Sequence, residues 1–319
     1  MTTYKEIRGT NIEAVASDPS NPVEGQVWYN TTTNVVKGLT INPGSWATGG
    51  PLNTARDSLA SAGIQTAALA FGGNPPAYAI TESYNGTNWT EVNDLNSARF
   101  GLGGVGTQTA ALAFAGANPY TANTETWNGT NWTEVNNLGT ARYQLGGAGT
   151  NTAALAFGGL SGAGPANETE LWNGTNWTEV NNLGTARYRS GSCGTQTAAL
   201  MFGGSPGTKN NTELWNGTNW TEVNDLTTAR KYLAGAGTST AALAFGGQNA
   251  AGATVGTTET WNGTNWAEVN DLAVVRKFLA GTGATNTAAL AFGGNPIGGA
   301  GAATEEWNAG PATVTFDVS

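Results

Sequence analysis

The sequence predicts an all-β fold of repeated four-stranded antiparallel sheets, and three observations lead there. First, the stretch from Thr124 to Gly159 reads TETWNGTNWTEVNNLGTARYQLGGAGTNTAALAFGG, and both TETW and TNWTEV alternate polar with large apolar residues. That alternation is the period-2 mark of a strand. Second, Asn128-Gly129 sits between the two runs, and a type I′ hairpin turn favours this pair because it needs positive φ at both central residues. Across such a turn Trp127 faces Thr130 and Glu125 faces Trp132, so both tryptophans share one face of the sheet. Third, a strand through Tyr143 and Leu145, a turn at 149–152 and the apolar run AALAF closed by Gly158-Gly159 complete a unit of about 43 residues that recurs along the chain. Four short strands per repeat, at a fixed period of this length, describe one blade of a β-propeller.

The markers of the unit recur with little drift. Arg closes the loop at Arg56, Arg99, Arg142, Arg187, Arg230 and Arg276. The aromatic before the glycine pair falls at Phe71, Phe114, Phe157, Phe202, Phe245 and Phe292. Glu stands two residues before an aromatic at Glu82/Tyr84, Glu125/Trp127, Glu170/Trp172, Glu213/Trp215, Glu259/Trp261 and Glu305/Trp307. A second tryptophan follows at Trp89, Trp132, Trp177, Trp220 and Trp266. The order Arg, apolar strand, Gly-Gly, Glu, aromatic, Trp resembles the kelch repeat over residues 46–307, and the resemblance implies a kelch-type β-propeller. Two departures stand out. Only four residues separate the two aromatics, as in Trp127-NGTN-Trp132, and Phe114-Ala115-Gly116 lacks the first glycine.

Taken in order, residues 1–12 read as a polar N-terminal arm, and residues 13–319 as a single propeller domain. Within it, 13–55 reads as a degenerate blade. Subtracting the repeat period maps Phe71 onto Trp28 and Trp89 onto Trp46, while GQVWYN (25–30) and NVVKGLT (34–40) read as strands. Trp46 also stands ten residues before Arg56, the interval from Trp89 to Arg99. With the six repeats of 56–319 this makes seven blades. The alternative is an attachment hairpin over 12–45, with Trp46 closing a six-bladed ring. PATVTFDV (311–318) supplies a last strand without a tryptophan.

Length variation is concentrated at one place in the repeat, Arg to Phe being 15 residues in five copies and 16 in the last. Trp to Arg is ten residues in every copy, whereas Phe to Glu runs 11, 11, 13, 11, 14 and 13. The variation lies just after the glycine pair, in NPPAYAI (74–80), GLSGAGPAN (159–167), QNAAGATVGT (248–257) and NPIGGAGAA (295–303). With strands running up and down, these loops share a side with the loops that carry the arginines. Divergent loops on a rigid scaffold are where binding sits. Tyr78 and Tyr120, the irregular loop aromatics, are the candidate sugar-stacking residues, and Asn249 and Thr254 are the candidates in the longest loop.

The inventory of reactive groups is thin. There is no histidine, which removes the usual general base, the Ser-His-Asp and Cys-His arrangements and the commonest metal ligand. No phosphate-binding glycine loop opens a helix. Arg and Glu recur once per repeat, and a catalytic carboxylate is needed once or twice. Arg99, Arg142, Arg187 and Arg230 with Glu125, Glu170, Glu213 and Glu259 therefore read as structural pairs that pin a loop to a strand. The EVND and EVNN segments fit no EF-hand spacing and read as solvated turns. Cys193 replaces an alanine of other copies and reads as a small buried residue. No cofactor, metal or enzymatic activity is expected. A net charge of −9 without a basic cluster disfavours nucleic acid, and no apolar run is long enough to span a membrane.

The segment GTNIEAVASDPSNPVEGQVWYNTTTNVVKG (9–38) resembles openings of structural proteins of tailed bacteriophages. The resemblance implies a virion component of a tail fibre, appendage or capsid decoration, with other virion proteins as partners through the N-terminal segment. Its loops would meet a host-surface glycan or protein, or a second copy on the particle. The alternative is a cellular kelch-type scaffold or lectin-like propeller.

Overall fold

In the computed structural model residues 12–296 and 301–316 are described, so the expected N-terminal arm lies outside them apart from Ile12. Every regular element among them is a strand. The chain divides into two compact units, one of residues up to Pro43 together with Ala309 onward, the other Gly44–Asn308.

The larger unit is a series of antiparallel sheets, each with its strands hydrogen-bonded in chain order. The first comprises Ala60–Ile64, Ala67–Phe71, Thr81–Tyr84 and Trp89–Val92, and four more of the same plan follow, ending at Val269. In the sixth, Ala280–Thr285 pairs with Ala288–Phe292, which pairs with 304–308. Its fourth position is taken by 44–49: the Trp46 ring lies 5.4 Å from Trp307, and a Cβ on Gly44 would run into the Trp307 ring.

Two local expectations are corrected. Trp127 pairs with Trp132 and Glu125 with Glu134, so the hairpin loop is the four residues 128–131 rather than a two-residue turn. Only Gly129 of that loop has positive φ. The Asn128 side-chain oxygen accepts from the N–H groups of Thr130 (2.9 Å) and Asn131 (2.8 Å), adding to the backbone bond from Asn128 N–H to Asn131 O at 3.3 Å. Both tryptophans still share a face, ring centroids 5.4 Å apart. Likewise, the strand expected through Tyr143 and Leu145 begins at Gly146, because Arg142–Tyr143 instead pairs with Leu160–Ser161 beyond the glycine pair.

Packing explains the composition. The second strands are apolar throughout because they are covered on both faces: Leu69, Leu112, Leu155, Leu200, Leu243 and Leu290 are fully buried. The first strands of successive sheets touch in a cycle, the sixth against the first. Glycine is needed on them: a Cβ at Gly103 would sit 2.3 Å from the Phe114 ring. Between sheets, each second tryptophan reaches the preceding sheet. Its indole N–H donates to the threonine opening that sheet's third strand, Trp132 to Thr81 (3.0 Å), Trp177 to Thr124 (3.1 Å), Trp220 to Thr169 (3.0 Å) and Trp266 to Thr212 (3.1 Å). Trp89 likewise reaches Thr304 (3.0 Å) and Trp46 reaches Thr258 (3.1 Å). The same tryptophans lean on the preceding phenylalanine, as Trp132 does on Phe71 at 4.9 Å and Trp46 on Phe245 at 5.0 Å. Each of these large rings contributes roughly 1.5–3 kcal/mol by burial.

The smaller unit has its own pairing. Glu13–Val15 runs parallel to Val27–Asn30, which forms a hairpin with the start of Val35–Gly49. The parallel pair distinguishes it from the repeated sheets. Asp18 is its polar centre, accepting from Trp28 (3.0 Å) and Asn30 (2.7 Å) and paired with Lys37 at 2.7 Å. The Lys37 ammonium and the two neutral donors hold the Asp18 carboxyl down to about 2.

Candidate functional site

One end of the larger unit is built in two layers, two residues apart in sequence. The inner layer is the six arginines, each at most 1% exposed and each within ion-pair distance of the glutamate expected from the repeat. Arg187 shows the arrangement. Its guanidinium meets Glu213 at 2.9 Å and donates to the carbonyls of Asn211 (2.7 Å) and Met201 (3.2 Å). The other Glu213 oxygen accepts the Gly184 N–H of the incoming loop at 2.7 Å. Each glutamate thus ties a loop backbone to an arginine inside one sheet, and isolated burial of either charge would be prohibitive. Burial pushes Arg276 down to about 10 and lowers Arg142, Arg187 and Arg230 in the same direction, with the paired glutamates opposing it. Arg142 is the loosest copy, 3.0 Å from Glu170 but without hydrogen-bond alignment.

The outer layer surrounds the mouth of a central channel. After each arginine one residue pairs with the segment that follows the glycine pair, as Arg230–Lys231 does with Gln248–Asn249 and Arg276–Lys277 with Asn295–Pro296. This places the length-variable loops beside the mouth. The next residue turns into the left-handed region: Ser58, Gly101, Gln144, Arg189, Tyr232 and Phe278 have φ between 53° and 62°. Their backbones form a closed hydrogen-bonded ring. Gly101 N–H donates to Ser58 O (2.7 Å), Gln144 to Gly101 (2.6 Å), Arg189 to Gln144 (3.0 Å), Tyr232 to Arg189 (2.7 Å), Phe278 to Tyr232 (3.0 Å) and Ser58 back to Phe278 (2.8 Å).

The side chains on this ring differ at every step, in a chain whose repeats are otherwise almost copies. Only Gly is free of strain at positive φ; the other five each cost about 1–2 kcal/mol there. Strain held at a rim is a pointer to use. Ring and leucine collar enclose a cavity of about 120 Å³, with Leu59, Leu102, Leu145, Leu233 and Leu279 at its base. Farther in, the channel is walled by the first strands and holds about 150 to 160 Å³ in each of two stretches. Cys193 lies on that wall, where other copies have Ala62, Ala148 and Ala236, and burial drives its thiol up to about 12.

Aromatic and cationic groups gather on one side of the mouth. The Tyr232 and Phe278 rings are 3.9 Å apart. The Arg189 guanidinium stands 4.5 Å from the Tyr232 ring and 4.8 Å from Tyr188, and its Nε donates to Gln144 Oε1 at 2.9 Å. Lys231 and Lys277 lie 5.7 and 5.9 Å over Tyr232 and Phe278. Burial, against the pull of Arg189, raises the Tyr232 phenol above its ordinary range.

Of the loop residues singled out from sequence, Tyr120 is 43% exposed and leans on Tyr143 at 4.8 Å, beside the mouth. Tyr78 is half-buried, its backbone bonded to Gly73 and Arg99. Asn249 caps its own loop by accepting from Ala253 N–H at 3.0 Å, and Thr254 bridges to Gln248. These four belong to three loops, Asn249 and Thr254 sharing one, and do not converge on a common site. The residues that do converge, Gln144, Arg189, Tyr232 and Phe278, were missed. Their signal was present in RDSL, RFGL, RYQL, RYRS, RKYL and RKFL, where the two residues after Arg are the most varied of the repeat. Among the described residues no group of three His, Cys, Asp or Glu is placed to hold a metal ion, and no helix is long and apolar enough to cross a membrane. The chain matches no protein-family model, and no curated protein matches it.

Proposed function

We propose that the protein is a non-enzymatic binding protein, a kelch-type propeller of six blades that presents the ring mouth and its flanking loops to a ligand, and that it serves as a structural or adhesion component of a tailed-phage virion. The six indole–threonine bonds that return from Trp46 to Thr258 and from Trp89 to Thr304 support six blades over the seven first expected. On this reading residues 13–43 are an attachment module rather than a degenerate blade. The observation that carries the binding role is the ring: five different side chains and one glycine on a left-handed position whose backbone bonds repeat at every step. A structural spacer would keep the cheap residue, glycine, at each step. The virion assignment rests on the resemblance of 9–38 and on the separate compact unit that contains it, a fitting module for docking onto a particle.

The test is gold-labelled antibody on particles produced by cells carrying the gene. Label on fibres, neck or capsid supports the virion reading, with tip labelling favouring host adhesion. Particles free of label would sink it and leave a cellular kelch-type scaffold or lectin.

A further inference from the structure

We infer that the channel mouth binds the terminal residue of an acidic saccharide, with Arg189 holding its carboxylate and the Tyr232–Phe278 pair carrying the apolar face of its ring. The inference rests on the mouth being the binding face and gives that face a ligand class.

Charge comes first. The chain carries a net −9, yet Arg189, Lys231 and Lys277 stand together on three consecutive copies. None has a carboxylate at ion-pair distance among the described residues, a state shared there by Lys209 alone, whereas the six framework arginines and Lys37 are all paired. Three unpaired cations in an acidic protein mark an anion site. The same net charge repels a dense polyanion, so the ligand that fits carries one or a few charges on an otherwise neutral body.

Geometry narrows it further. Gln144 fixes the Nε side of Arg189, and the rings of Tyr188 and Tyr232 fix its plane. Its two terminal nitrogens make no hydrogen bond to the described residues and form the fork that matches a carboxylate in two parallel bonds. Beside it Tyr232 and Phe278, in contact with their rings tilted at 44°, offer aromatic surface, and a pyranose ring has an apolar face that such surface covers. A cavity of about 120 Å³ has room for roughly four waters' worth of liquid. A cavity of that size at the ring admits the end group of a ligand and not its body.

The experiment measures binding of the full-length protein to trisaccharides ending in glucuronate, galacturonate or sialate, with a glucose-ended trisaccharide, acetate and heparin as comparators. Binding of at least one acidic trisaccharide, tenfold tighter than the glucose-ended one and than acetate, supports the inference. Arg189→Gln should then weaken it at least tenfold, with Thr175→Ala, on an exposed hairpin outside the mouth and its loops, leaving it unchanged and both variants melting as wild type. Equal binding of acetate would remove the saccharide, equal binding of the glucose-ended sugar would remove the charge, and preference for heparin would remove the chain end; each overturns the inference. So does failure of every acidic trisaccharide to bind. A parallel assay of fluorescent protein on host cells separates that failure from failure of the face: if Gln144→Trp, which fills the mouth, abolishes cell binding while no acidic sugar binds, the face stands and the ligand class falls. If Gln144→Trp leaves cell binding intact, both fall.

Discussion

Two positions in each repeat, separated by two residues, have met opposite fates. The first is arginine in all six copies, with no more than 1% of its surface exposed; the second is Ser, Gly, Gln, Arg, Tyr or Phe. The chain path is the same at both. What differs is what the side chain must satisfy. The arginine has to meet a buried carboxylate and carbonyls whose positions the sheet fixes, so a change strands a charge. At the ring the backbone makes all the repeated hydrogen bonds through N–H and C=O, and the side chain has no structural duty. A repeat built this way separates framework from specificity within three residues of chain.

Breaking the framework should have the largest effect. Arg187→Met leaves Glu213 buried without its partner and should cost about 3–5 kcal/mol in chemical denaturation. The double variant Arg187→Met/Glu213→Leu should recover most of that, because the stranded charge is gone. If the double variant is as unstable as the single, the arginine acts mainly through its bonds to Met201 and Asn211. The same single change at Arg142, whose guanidinium lacks aligned hydrogen bonds, should cost less.

Trp46 extends the comparison to the closing sheet. Its indole repeats the framework contacts of Trp266, a bond to the preceding threonine and a face on the preceding phenylalanine. Trp46→Ala and Trp266→Ala should each cost about 3–5 kcal/mol by melting. A much smaller effect at Trp46 would mean that 44–49 is an accessory strand and the six-step cycle does not need it.

The ring should show smaller effects of opposite sign. Ser58→Gly relieves a left-handed serine and should change stability by about +1 kcal/mol or less, since glycine's extra unfolded freedom offsets part of the gain. Gly101→Ser, the reverse exchange at the equivalent step, should cost about 1–2 kcal/mol. A destabilised Ser58→Gly would show that the ring side chains carry framework work after all.

The all-β class, the repeat, the Arg–Glu markers and the side of the variable loops were legible because each rests on short-range pattern or on copies that can be aligned to one another. The hairpin register was not, because Asn128 closes the turn with its side chain, and Asn-Gly signals the turn without saying which bonds close it. The partner of Trp46 was not legible either: its spacing to Arg56 is a short-range pattern and says nothing of the long-range bond its indole N–H makes to Thr258. The ring was not legible because the irregular aromatics of the chain, Tyr78 and Tyr120, stand in the loops instead. A left-handed ring closed by backbone bonds leaves no composition signature beyond variability two residues after Arg.

The smallest effect compares the mouth with the wall below it. Cys193 faces the channel but is 7% exposed, and burial lifts its thiol to about 12. At pH 7–9 it should react with iodoacetamide only as fast as the protein unfolds, whereas Gln144→Cys, on the ring, should be labelled within the dead time of mixing with excess reagent. The sign for stability follows from the same shift. An acid whose folded value is raised favours folding fully below its unfolded value near 8.5 and progressively loses that contribution as pH climbs toward 12. Cys193→Ala should therefore flatten the alkaline limb of the stability profile and leave the neutral region unchanged. Rapid labelling of Cys193 in the native protein would mean that the channel opens to reagents from the mouth inward, and that framework and specificity are less separate than two residues of sequence suggest.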